Sequence, residues 1–149
     1  DNVFCLGGIH HVNNRIALFG EIERVLKSGG RFIWREPVDD FIIWRMIRAI
    51  IYKLSPHLDD KTEQPLRYES TKICLKEAGL KLDSWNTYGF FGFCFFMNSD
   101  VLVFNRLFKY IPKIRSIVRA FIKLDNMILN NPLMRNTGLQ VVGIATKLK

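Results

Sequence analysis

The 149 residues suffice for one domain or part of one, and 48% hydrophobic content is typical of a globular chain with a real core, which argues against disorder. The formal net charge of +8 is large for this length and either attracts something anionic or solubilises apolar helices. Three cysteines, Cys5, Cys74 and Cys94, are odd in number, far apart and set in apolar surroundings, so they read as reduced core thiols of a cytosolic protein; no disulfide and no metal site is expected, because no two have ligand spacing.

The chain opens with an apolar run, Val3 to Leu6, that stops at Gly7 and Gly8, with His10 and His11 directly after. Leu18, Ile22, Val25 and Leu26 follow at helical spacing, and Lys27 with Gly29 and Gly30 closes that helix. Arg31 to Glu36 reads as a second strand, cut off by Pro37. A strand, a crossover helix and a strand in so few residues demand parallel pairing with a right-handed connection. Ligands of open parallel sheets sit beyond the carboxyl ends of the strands. That places Gly7, Gly8, His10 and His11 beside Trp34, Arg35 and Glu36 at a candidate site.

The pattern D-x-V-x-x-x-G-G-I-H-H-V, then E-I-x-R-V-L-K-x-G-G-R-F-I-W-R-E-P, resembles the second half of a class I S-adenosylmethionine-dependent methyltransferase, with Arg24 to Gly30 as the more specific marker. The resemblance is strong over Asp1 to Pro37, in outline over Thr71 to Thr87 and Gly138 to Lys149, and faint elsewhere. It implies an α/β fold, a partial Rossmann-like methyltransferase sheet holding strands four to seven with the last antiparallel, and a helical insertion or lid over residues 89–134. It also implies S-adenosylmethionine as cofactor, with Leu6, Gly7 and Gly8 along its methionine part. The family's glycine-rich turn after the first strand and the acidic residue ending the second are both missing from these residues. The chain is therefore expected to be the carboxyl-terminal half of the domain, a fragment inactive alone, with roughly 100 or more further residues upstream.

Val38 to Leu54 reads as an apolar helix with Asp39 and Asp40 in its first turn, buried on most sides or lining an apolar substrate chamber. It falls short of the ~20 apolar residues of a bilayer span. His57 to Arg67 is a polar connection near the site's mouth, Thr71 to Gly79 a short helix capped by Ser70 or Thr71, and Lys81 to Tyr88 a strand. Tyr68 and Lys72 satisfy the Y-x-x-x-K pair of short-chain dehydrogenases, but the tyrosine precedes the expected cap, so the two need not share a helix face. Phe90, Phe91, Phe93, Phe95 and Phe96 then crowd one stretch, and Asn105 to Asn130 carries apolar residues near helical spacing, with Pro112 suited to a helix start or a kink. Gly138 to Lys147 reads as the last strand.

Methyl transfer from a sulfonium is an in-line displacement that rests mostly on alignment. A hydroxyl acceptor also gains from a nearby base, for which His10 or His11 is the candidate; the alternative is a histidine that fixes the turn through a backbone carbonyl. Trp34, Arg35, Glu36, Phe91 and Phe93 are the candidate substrate contacts. Against these stand an ion pair of Arg35 and Glu36 with each other or with neighbours, and plain core packing for the aromatics. The acceptor is expected to be a small or lipid-like molecule, given the abundance of Phe, Ile and Trp. Arg106, Lys109, Lys113, Arg115, Arg119 and Lys123 fall in a stretch with no acidic residue and suit either a solvated face or peripheral membrane contact. Nucleic acid is disfavoured, because basic and aromatic residues are segregated there. A cytoplasmic location, membrane-peripheral if that face binds lipid, follows. The competing reading is a non-catalytic protein of the same fold that uses its basic helix as a docking element.

Overall fold

The structure, a computed structural model, describes residues 1–54, 63–90 and 110–148. Phe91, Phe93, Arg106 and Lys109 lie outside them. The chain divides into two compact units, one of Asp1–Asn86 with Gln140–Lys149 and the other of Thr87–Leu139.

The first unit is built on β1 (Asn2–Leu6), α1 (Arg15–Val25), β2 (Arg31–Pro37), α2 (Ile42–Leu54), α3 (Tyr68–Glu77), all but the last two residues of β3 (Leu80–Tyr88), and β4 (Gln140–Lys147). Its four strands run in the order β1-β2-β4-β3. β1 and β2 pair in parallel with Leu6 opposite Arg35, as the short crossover through α1 requires. β4 lies antiparallel to β2, from Pro37 opposite Gln140 to Arg31 opposite Thr146. The sheet is therefore mixed, with β4 reversed, and the fold is α/β.

Alternation along β2 sorts its residues by face: Phe32, Trp34 and Glu36 are buried while Arg31 and Arg35 are exposed. The Phe32 and Trp34 rings stack at 4.9 Å between centroids, a pairing worth about 1 kcal/mol beyond the area it buries. Gly143, opposite Trp34, leaves the space the indole fills, since a Cβ there would overlap it. Ile9, Phe19, Leu66, Leu75, Val141 and Ala145 complete a core with no solvent exposure.

Several sequence expectations shift. Val25 is exposed at the end of α1 and Phe19 takes its place, because the buried arc centres on Phe19, Ile22 and Leu26 and leaves Val25 at its margin. α2 begins only at Ile42 and is open on one side, where Ile42, Ile43, Met46 and Ile50 are exposed while Trp44 is buried. Asp39 and Asp40 serve other groups: Asp39 pairs with Arg48 at 3.5 Å and Arg67 at 3.4 Å, and Asp40 accepts from the Tyr68 backbone N–H at 3.0 Å. Asp40 thus satisfies the first N–H of α3, which starts three residues before Thr71. With Tyr68 inside that helix, Lys72 does share its face, its Nζ 5.7 Å from the Tyr68 ring centre. The ring itself packs edge-on against Trp85.

In the second unit α4 spans Ile114–Leu129, so Pro112 lies just ahead of a helix start and kinks nothing. Phe90, Asp125 and Leu129 are buried there, and Leu139 N–H donates to the Gly89 carbonyl at 2.8 Å. No helix among the described residues is long and apolar enough to cross a membrane.

Candidate active site

The chain leaves β1 by a hydrogen bond from Gly7 N–H to the Arg35 carbonyl at 3.0 Å, then turns with Gly7 at φ +70°, a conformation glycine adopts without steric cost. The short 3-10 turn Ile9–His11 follows. A turn of this kind points several backbone N–H groups inward with no carbonyl to receive them. Glu36 receives them. Its side chain is fully buried, and its Oε1 accepts from Gly8 N–H at 2.7 Å and Ile9 N–H at 2.9 Å. Its Oε2 lies 3.4 Å from His10 N and 2.6 Å from His10 Nδ1.

The register explains the clamp: with Leu6 opposite Arg35, the turn crosses over the next inward residue of β2, and that residue is Glu36. Arg35, one position earlier, points to the other face, so the two do not pair. An ionised carboxylate only accepts, so Nδ1 of His10 is the donor, and in the neutral imidazole Nε2 carries the lone pair. The loop is tied down further by Gln64 N–H, which donates to the His10 carbonyl at 2.7 Å, and by an Arg15 guanidinium contact to the Gln64 carbonyl. The described part of the polar connection therefore does border this site. Cys5 Sγ stands 3.9 Å from Glu36 Oε1, and burial first, then the Glu36 charge, push its thiol up from the usual range.

An open cavity of about 340 Å³ lies at the strand ends, lined by Leu6, Gly7, His10, Arg35, Pro37 and Gln140. That volume is at the low end of ligand sites. Four of the residues singled out from the sequence, Leu6, Gly7, His10 and Arg35, thus meet at one place. Gly8 stands behind the wall, its N–H engaged by Glu36. His11 is exposed beside His10, with ring centres 3.9 Å apart. Trp34 lies in the core, the alternative weighed for it, with its Nε1 unpartnered among the described residues. Pro37 and Gln140 were not singled out. The antiparallel last strand that the resemblance implies does not by itself signal Gln140, because only the register shows that this strand starts beside the carboxyl end of β2.

Residues 1–34 match the family model described as a methyltransferase domain. No curated protein matches. Among solved structures, a sarcosine dimethylglycine methyltransferase from Galdieria sulphuraria, described as putative, aligns at 13% identity with TM-score 0.56, covering 99% of this chain and 52% of that one. A putative methyltransferase from Bacillus halodurans C-125 aligns at 17% and 0.52, covering 99% and 64%. The O-methyltransferase from a trans-AT PKS multienzyme of Brevibacillus brevis, in complex with S-adenosyl-L-homocysteine, aligns at 15% and 0.51, covering 99% and 44%.

The chain has the fold of class I methyltransferases. It spans between about two fifths and two thirds of the length of these solved methyltransferases. The methyltransferase pattern of its first 34 residues coincides with β1, the clamped turn, α1 and most of β2.

Proposed function

We propose that the chain takes part in S-adenosylmethionine-dependent methyl transfer to a small or lipid-like acceptor, with the cavity at the ends of β1 and β2 as the reaction site. One observation carries the reading: His10 stands at the wall of that cavity with Nδ1 held by a buried carboxylate. The residues present fit the cofactor's near side, since Leu6 is 71% exposed and the space where a Cβ of Gly7 would stand is open, so a ligand can approach the backbone closely. When bound, the cofactor supplies an electrophilic methyl group. Leu6 and Gly7 would lie along its methionine part, and Gly8 would contribute by holding the turn. Arg35 and Gln140 would orient the acceptor's polar end, while His10 Nε2 would accept the proton of an acceptor hydroxyl. The solved neighbour holding S-adenosyl-L-homocysteine supports the cofactor assignment.

Titration calorimetry of the full-length protein with S-adenosylhomocysteine tests this, with saturable binding the expected result. His10→Ala should leave that binding in place and lower turnover of a hydroxyl acceptor by about a hundredfold or more. No affinity for the cofactor would overturn the enzyme reading and leave a non-catalytic protein of the same fold.

A further inference from the structure

The outer face of α4 is charged in a way that helix stability does not explain. Ile114, Val118, Phe121, Asp125 and Leu129 recur at three- and four-residue steps and form the buried and half-buried arc. Arg115, Arg119 and Lys123, each four residues from the next, share the opposite arc, and all three are exposed. The helix's one acid is turned away from them: Asp125 is 3% exposed, and its Oδ2 accepts from Phe90 N–H at 3.0 Å. No carboxylate among the described residues pairs with the three cations. Like charges at four-residue spacing repel along a helix. Arg115 also stands in the first turn, which holds no acid, so its charge opposes the helix dipole there. A face that works against its own helix twice over is suited to a counter-charge from outside the chain.

We propose that this face docks on an anionic lipid bilayer. The choice of a bilayer rests on what flanks the cations. Ile122 is exposed on one margin of the arc and Met127 on the other, Met127 at 73%. Apolar side chains beside a basic stripe match an interface that offers phosphate above hydrocarbon. No aromatic ring stands on the cationic arc, which removes the stacking that a single-stranded nucleic acid would use. The docking does not depend on the methyl-transfer reading, and it would hold for a non-catalytic chain as well.

The test is co-sedimentation of the 149-residue chain with vesicles of phosphatidylcholine alone or enriched in phosphatidylserine, at low and high salt. Binding is expected only to the phosphatidylserine vesicles and should weaken as salt screens the charges. Each basic residue near such a surface is worth about a fivefold change, so the triple replacement R115Q/R119Q/K123Q should lower the partition coefficient by about a hundredfold. Its far-UV circular dichroism and melting temperature should match the parent, because the three side chains pack against nothing inside. A second variant, Met127→Ser, should weaken binding several-fold without altering its salt dependence. Equal binding to neutral vesicles, a triple variant that binds like the parent, or binding to a single-stranded oligonucleotide with vesicles ignored would each overturn the proposal.

Discussion

Glu36 holds together more of the site than any other single residue, and it does so without reaching the cavity. Its carboxylate gathers the N–H groups of the turn after β1 and the imidazole of His10, and it sits close enough to Cys5 to raise that thiol. Replacing it with Gln keeps the volume but turns a donor toward donors, so at least one buried N–H loses its acceptor. Glu36→Gln is therefore expected to cost about 1–3 kcal/mol in urea unfolding. Removing the charge also lets the Cys5 thiol ionise more readily, so the midpoint of its alkylation rate against pH should fall. Loosening alone would raise the rate at every pH and leave that midpoint where it was, a result that would detach Cys5 from the clamp.

Between elements, Asp40 shows how tertiary context reassigns a local signal. Burial pushes its carboxyl up from the ordinary carboxylate range, against the pull of the Tyr68 N–H it accepts from at the start of α3. The folded chain then binds that proton more tightly than the unfolded chain. This group's contribution to stability accordingly falls as pH rises from the ordinary aspartate range through the raised value. Asp40→Asn keeps an acceptor for Tyr68 and has no charge to desolvate. It should gain on the parent between about pH 3 and about pH 7, measured as unfolding free energy at both. A gap that stays constant, or widens the other way, would refute the burial argument. From the sequence, Asp39 and Asp40 look like first-turn residues of α2, since nothing local reveals that α3 starts beside them. The β1-α1-β2 unit was legible because its period changes, its glycines and its short crossover leave one topology. Leu6, Gly7, His10 and Arg35 were legible because parallel strands end together. Glu36 as a clamp and Gln140 as a lining residue were not, because each acts through a strand neighbour that only the register identifies.

At the scale of the molecule, the +8 charge and the open strand at one side of the sheet pull in opposite directions. β1 is one of the two edge strands among the described residues, with Phe4 63% and Leu6 71% exposed on it. Such an edge offers a row of backbone donors and acceptors and apolar side chains to another copy of itself. Net positive charge resists that approach at low ionic strength. At physiological salt the screening length is about 8 Å, so charges farther than that from the edge add little to the repulsion. The 149-residue chain is therefore expected to self-associate with rising concentration and to do so more readily as salt increases, the reverse of the salt dependence expected for lipid docking through α4. Phe4→Lys adds a charge at an exposed position where little packing is lost, so it should hold the chain monomeric in sedimentation velocity at concentrations where the parent dimerises, with a melting temperature close to the parent's. A parent that stays monomeric throughout, or a Lys variant that associates equally well, would show that the β1 edge is not the surface through which copies meet.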